Sequence, residues 1–237
     1  MQFQTPLLRG RLQRRYKRFL ADVELDSGET ITCTCPNTGS MIGLVTPGAA
    51  VWLSESDSPT RKYRHTWELV EHDLGKGPAI VGINTNHPNK LVSEAIEQGR
   101  IAPLKGYASL RREVKYGKNS RIDILLEDEK KGACYVEIKN VHMMRRHGLA
   151  EFPDSVTARG AKHLAELADM VAAGHRAVMM FLIQRGDAAK LSLARDIDAT
   201  YGEAFEAAVT AGVEVLAYRC TVTPEGIEVD RKIPVNA

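Results

Sequence analysis

The chain has 237 residues, of which 43% are hydrophobic and 26% charged, and its formal net charge is +2. This length allows one large domain or two small ones, and the near-neutral charge means that contact with a polyanion must depend on local clusters of cations. No apolar run approaches the roughly 18 residues of a membrane span, and no signal peptide follows Met1. We therefore expect a cytoplasmic protein with no membrane partner.

Residues 16 to about 83 have the pattern of short strands. Apolar residues at positions 19, 21, 23 and 25 alternate with acidic residues at 22 and 24, a period of two that buries one face of a strand. Five or so such strands, separated by Gly, Pro and Asn turns, predict a small β-barrel of the OB type over residues 1–84. The four cysteines lack the two closely spaced pairs of a zinc site, so we expect free thiols in strands.

After Thr85 helices and strands alternate. The segment NHPNKLVSEAIEQG predicts a helix that begins at Pro88 and ends before Gly99. Three strand candidates follow, then a helix from about 155 to 173, the apolar strand RAVMMFLI, a helix from about 200 to 211 and a terminal hairpin. A strand with no polar face must be covered on both sides. This order predicts a mixed α/β sheet with flanking helices over residues 85–237, and hence a two-domain α+β protein.

Two of these strands carry charge among aliphatic residues. Asp123 lies in RIDILLE, and Glu137 and Lys139 lie in YVEIKN. If the two strands form a hairpin, the three charges converge at one end of the sheet. A Glu-x-Lys pair also fits an ordinary solvated surface pair, so the helix, three strands, helix, strand order is what favours a site.

The chemistry that suits this set is metal-assisted hydrolysis of phosphodiesters. Asp123, Glu137 and the peptide carbonyl of Ile138 are oxygen ligands for Mg²⁺ or Mn²⁺, which would activate a water and stabilise charge on the scissile phosphate. Lys139 is a candidate to position that water or to neutralise developing charge. Glu94, on the first predicted helix, is expected to support the same site through a ligand or a metal-bound water.

Clusters of cations suggest DNA as the partner. The segment RGRLQRRYKRF has no acid, and its candidate contacts with phosphates or bases are Arg9, Arg11, Arg14, Arg15, Tyr16, Lys17 and Arg18. The alternative is that a basic edge strand prevents aggregation. A second cluster near Asp123 contains Arg111, Arg112 and Lys118. Arg159 and His163, four residues apart on the second predicted helix, share a face that is a further candidate for the cleft.

The Asp123, Glu137-Ile138-Lys139 set resembles the PD-(D/E)XK nuclease superfamily, with Ile122 where the motif has proline. The whole chain resembles the bacterial sugar fermentation stimulation protein A family. The matching stretches are CPNTGSM (35–41), TWELV (66–70), VGINT (81–85), PNKLVSEAI (88–96), YGKNSRIDILL (116–126), CYVEIKNV (134–141) and FPDSVTARGAKHL (152–164).

This resemblance implies an OB-like domain followed by a nuclease-like domain, DNA binding with little sequence preference, and a regulatory role in sugar metabolism, particularly that of maltose. It also implies that Asp123, Glu137 and Lys139 occupy active-site positions and that Glu94 is the helix carboxylate. One departure is Thr34, where the family often has His. Two functions therefore stay open: a Mg²⁺-dependent nuclease, or a regulator that binds DNA on a nuclease scaffold without cutting it.

Overall fold

The computed structural model describes residues 1–117 and 120–236. Its first part is a closed barrel, as predicted. The strands are β1 (Leu8–Tyr16), β2 (Leu20–Leu25), β3 (Thr30–Thr34), β4 (Ala50–Glu55), β5 (His65–His72) and β6 (Ala79–Gly82). They follow the order β3-β2-β1-β4-β5-β6, and a pairing of β3 with β5 closes the first five into a barrel.

The basic segment at the start of the chain is a central strand of this barrel. β1 pairs with β2 on one side and β4 on the other, so the edge-strand alternative considered for it is wrong. Gly10 and Leu12 point into the barrel core, whereas Arg9 and Arg11 are exposed. The alternation explains how a strand with so many cations can still contribute apolar contacts to a closed barrel.

The second part is a mixed sheet with three helices. Its elements are α1 (Pro88–Glu97), β7 (Ser109–Tyr116), β8 (Ser120–Asp128), β9 (Gly132–Val141), β10 (Leu149–Phe152), α2 (Ala158–Ala172), β11 (Arg176–Ile183), β12 (Lys190–Leu193), α3 (Ala199–Thr210), β13 (Glu214–Thr223), β14 (Gly226–Lys232) and β15 (Val235–Asn236). The main sheet has the order β14-β13-β11-β9-β8-β7, in which β9, β11 and β13 are parallel. β10, β12 and β15 form a small separate sheet that the sequence pattern did not predict.

Both faces of the main sheet are buried, which confirms the expectation for β11. Its even-numbered residues pack in a core with α1, and its odd-numbered residues pack in a second core with α2 and α3. β8 is also buried on both faces, because Leu125 packs in the second core while Ile124 and Leu126 pack in the first. Asp123, which is half-buried, therefore lies in a strand that has apolar packing on both faces.

The barrel and the sheet are joined by backbone pairing. The amide of Gly82 donates to the carbonyl of Gln184 at 2.8 Å, and Val81 forms a bridge with Arg185. The N-terminal residues also lie on the second part, since the Phe3 amide donates to the Glu225 carbonyl at 3.0 Å. The division between residues 84 and 85 stays a prediction. Within the described residues, no helix combines the length and apolarity needed to cross a membrane.

Candidate active site

The β8–β9 hairpin brings two predicted site residues together. Its ladder runs from Asp128 paired with Gly132 to Ile124 paired with Val136, and then stops. In the same register Asp123 stands opposite Glu137, where the strands part. The side chain of Asp123 replaces a backbone partner, because its Oδ2 accepts the Ile138 amide at 2.7 Å.

Glu137 is the most buried member of the set, with only 3% of the residue exposed. Its Oε1 accepts a hydrogen bond from Lys139 Nζ at 2.8 Å and another from His163 Nδ1 on α2. Arg159 Nε donates to His163 Nε2 at 3.3 Å, which assigns a proton to Nδ1, the nitrogen that faces Glu137. Burial by itself would raise the pKa of Glu137, but the hydrogen bond from His163 and the charge of Lys139 outweigh it and lower the pKa. Glu137 is therefore held as a carboxylate.

The second oxygen of this carboxylate has no such partners. Glu137 Oε2 is buried and accepts no hydrogen bond within residues 1–117 and 120–236. A buried anionic oxygen without a donor is costly unless something else satisfies it. Ile138 directs its N–H toward Asp123, and in an extended residue the carbonyl points to the same side of the strand. These oxygens fit the donor set of a divalent cation.

Asp123 differs from Glu137 in its electrostatics. Burial and the neighbouring charge of Glu137 raise its pKa to about 6, against the opposing hydrogen bonds from Ile138 and Asn89. Asn89 Nδ2, at the start of α1, donates to Asp123 Oδ1 at 3.0 Å and to Glu113 Oε1 at 2.8 Å. Two carboxylates that face each other thus have different affinities for protons.

A cleft of about 990 Å³ opens beside these groups. Its lining residues are Thr85, Asn86, Pro88, Asn89, Arg112, Glu113, Asp123, Ile138, Asn140 and Arg159. Arg112 and Arg159 are both exposed, so the cleft has cations on its rim and carboxylates at its base. No group of three or more His, Cys, Asp or Glu side chains in the described chain has the geometry of a metal site. The candidate ligand set is two carboxylates and a backbone carbonyl.

The structure does not bring Glu94 to this site. Its Oε2 lies 3.0 Å from the amine of Met1, and its Oε1 lies 3.7 Å from Lys90 Nζ. Residues of a helix turn about 100° each, so Glu94 is roughly 140° around α1 from Asn89. Asn89 is the helix residue that contacts Asp123, and the apolar pattern of α1 alone did not identify it.

The outward cations of β1 face acids on β2 and in the turn that follows it. Arg9 lies 3.5 Å from Asp26, and Arg14 Nε donates to Asp22 at 2.8 Å. The phenol of Tyr16 also donates to Asp22, at 3.0 Å, and the Arg14 guanidinium lies over the ring of Tyr16. The antiparallel pairing of β1 with β2 places these acids beside cations that are remote from them in sequence. The net positive charge of this surface is therefore smaller than the segment predicts.

Other predicted DNA contacts have structural partners. Arg15 donates to the carbonyls of Asn37 and Gly39, Arg18 donates to the carbonyl of Thr38, and Arg11 donates to that of Gly48. Arg111 forms an ion pair with Glu127. Lys17 is exposed at the β1–β2 turn. Lys118 lies outside the described residues.

Arg15 and Arg18 thereby hold the CPNTGSM loop. The sequence did not indicate which parts of the fold this loop contacts. From the other side, Asp154 Oδ2 accepts the Met41 amide at 3.1 Å, and Thr85 Oγ1 donates to the Pro36 carbonyl at 2.6 Å. The loop therefore connects the barrel to the second part of the chain, and Thr85, which contacts the loop, also lines the cleft. Thr34, the position of the family departure, precedes this loop and contacts Thr66 at 3.2 Å.

A closed barrel joined to a mixed sheet with flanking helices, with Asp, Glu and Lys gathered where a hairpin opens, defines a two-domain α+β protein whose first domain is an OB-type barrel. The sequence matches the SfsA N-terminal OB domain family over residues 14–83 and the sugar fermentation stimulation protein RE domain family over residues 86–226. The chain belongs to the sugar fermentation stimulation protein family.

Similar proteins cover the whole chain. A sugar fermentation stimulation protein homolog of Brucella ovis is 57% identical over 236 residues, which are 100% of this chain and 98% of the relative. A homolog of Brucella anthropi is 58% identical, with 100% of both chains covered. The structure of Pyrococcus furiosus SfsA in complex with Ca2+ matches with a TM-score of 0.88 at 26% identity, and covers 100% of this chain and 98% of its own.

Proposed function

We propose that the protein binds DNA and hydrolyses its phosphodiesters at the Asp123–Glu137 cleft with Mg²⁺ or Mn²⁺. The observation that carries the proposal is the opened hairpin, where Asp123 stands opposite Glu137 and a buried oxygen of Glu137 lacks a donor. The ligands would be these two carboxylates and the Ile138 carbonyl. The Ca2+ complex of the Pyrococcus furiosus relative supports affinity for a divalent cation in this fold.

When bound, the cation would supply an acidified water and a positive charge at the phosphate. The protein's own groups prepare the site for it. His163 and Lys139 keep Glu137 ionised by donating to Oε1, which leaves Oε2 for a ligand bond. The Lys139 ammonium has further protons, which can bind the attacking water or a phosphate oxygen.

Cations on the rim of the cleft would contact the phosphates of the DNA backbone. Arg112 is exposed and has no ion-pair partner in the described part of the chain, and the exposed Arg159 borders the same cleft. Phosphate contacts of this kind carry little sequence information, which fits binding with little sequence preference. The barrel surface around Arg9, Arg14 and Lys17 is a second, weaker candidate because Asp22 and Asp26 partly neutralise it.

A cleavage assay tests the proposal. Purified protein is incubated with single-stranded and duplex DNA in Mg²⁺ or Mn²⁺. Asp123→Ala is assayed beside it, with Glu127→Gln as a control that changes a half-buried carboxylate on the same strand, outside the cleft lining. We expect cleavage by the wild type and the control and none by Asp123→Ala. Absence of wild-type cleavage, or full cleavage by Asp123→Ala, would contradict the proposal.

The second candidate is a regulator, in sugar and particularly maltose metabolism, that binds DNA without cutting it. The specific observation in its favour is that the exposed rim cations Arg112 and Arg159 can contact a DNA backbone whether or not a divalent cation binds at Asp123 and Glu137. For such a protein, Asp123→Ala leaves DNA affinity unchanged or raises it. Arg112→Ala combined with Arg159→Ala weakens binding in either case, so the two candidates separate on cleavage and not on affinity.

A further inference from the structure

The edge strand β7 has one residue with an unusual backbone. Glu113 has a φ of 55°, in the left-handed region that residues other than glycine rarely adopt. The ladder between β7 and β8 has pairs on either side of Glu113 but none at Glu113 itself, which stands opposite Asp123. Such a conformation costs about 1 to 3 kcal/mol, and its presence is a reason to ask what Glu113 does.

The distortion changes which groups reach the cleft. Successive side chains of a regular strand point to opposite faces, yet Arg112 and Glu113 both line the cleft. The Glu113 carboxylate is thereby placed beside the amide of Asn89. Its Oε1 accepts from Asn89 Nδ2 at 2.8 Å, while the same nitrogen donates to Asp123 Oδ1 at 3.0 Å.

We infer that Asn89 is a positioning residue for the Asp123 carboxylate, and that Glu113 holds the Asn89 amide in the orientation this requires. The inference rests on the proposed function of the cleft. An amide nitrogen has two protons, and a fixed acceptor for one of them fixes the direction of the other. Asp123 is then held by Ile138 at Oδ2 and by Asn89 at Oδ1.

This arrangement leaves a ligand position on Asp123. Each carboxylate oxygen can accept two bonds, so one donor on each oxygen orients the group and keeps the remaining lone pairs for a cation. Partners of this kind typically change metal affinity about 10- to 100-fold when removed. Glu113 needs only to accept a hydrogen bond in this role, and its charge is not required.

Substitutions at Glu113 separate the possible roles. In the positioning role, Glu113→Gln retains an acceptor oxygen and binds Mn²⁺ within twofold of the wild type, whereas Glu113→Ala binds about tenfold more weakly. Asn89→Ala weakens binding by at least as much. The binding of Mn²⁺ alone is measured by isothermal titration calorimetry, with circular dichroism melts to verify that each variant is folded. Glu127→Ala, which removes a half-buried carboxylate outside the cleft lining, is the control and is expected to bind as the wild type does.

Two results would overturn the inference. If Glu113→Gln loses as much affinity as Glu113→Ala, Glu113 acts through its charge and is a ligand. If both Glu113 variants and Asn89→Ala bind Mn²⁺ normally, the contact is only structural. Asp123→Asn in the same titration isolates the proposed function: unchanged binding there rejects the metal site itself, whereas lost binding there with normal Asn89→Ala binding rejects only the positioning role.

Discussion

Replacing Asp123 with Asn tests the electrostatics of the cleft without any assumption about catalysis. Its folded-state pKa of about 6, against an ordinary value of 3.8, means that the folded protein retains a proton which the unfolded chain releases. Stability from this group is therefore present at low pH and is lost as the pH rises from about 4 to 6. The difference between these two pKa values corresponds to about 3 kcal/mol in the free energy of unfolding, of which about 2 kcal/mol falls between pH 4.5 and 8.

Asn at this position carries no charge and removes that pH dependence. It can accept a hydrogen bond from only one of Ile138 and Asn89, at a cost of about 1 kcal/mol. We therefore expect Asp123→Asn to be about 2 kcal/mol more stable than the wild type at pH 8 and to lose this advantage toward pH 4.5. Urea unfolding in EDTA at several pH values measures both curves.

The control is Glu127→Gln, which removes a carboxylate paired with Arg111 at the surface, and its stability curve should run parallel to the wild-type curve within the small contribution of an exposed ion pair. The argument would be refuted if the curves for Asp123→Asn and the wild type were parallel from pH 4.5 to 8. It would equally be refuted if Asp123→Asn were the less stable protein at pH 8. Either result would mean that Asp123 carries its charge in the folded state at no cost.

Three further changes have definite expected results. Asp154→Asn should destabilise the protein by about 2 kcal/mol at pH 7 in urea unfolding, because His142 and the Met41 amide help to hold the Asp154 pKa at about 2 despite burial. The difference in stability from the wild type should shrink as the pH falls below 4. His163→Ala should weaken Mn²⁺ binding about tenfold in calorimetry by removing a donor to Glu137, with partial recovery in His163→Gln. The double variant Arg112→Ala/Arg159→Ala should reduce the slope of log DNA affinity against log salt concentration by about 2, as measured by fluorescence anisotropy. An unchanged slope would exclude these phosphate contacts.

The local pattern of the sequence determined much of the fold. Short alternating strands with Gly and Pro turns are sufficient for a barrel, because side-chain alternation and turn chemistry are local properties. Pro88 and the apolar spacing likewise predicted a helix that begins at Pro88 and ends before Gly99, and the structure has it at Pro88–Glu97. The opposition of Asp123 and Glu137 follows from a short hairpin, since a tight turn fixes the register of its two strands.

Other features depend on contacts between segments that are distant in the chain. The acids that face the cations of β1 lie on β2 and in the turn after it, and Arg15 and Arg18 bind a loop some twenty residues later. The basic segment read by itself therefore predicts a more positive surface than the fold presents. Asn89 replaces Glu94 beside Asp123 because the direction in which α1 packs on the sheet, and not its apolar pattern, decides which polar residue meets the cleft. The backbone of Glu113 is a third such case, because only the assembled sheet and α1 can hold it in a left-handed conformation.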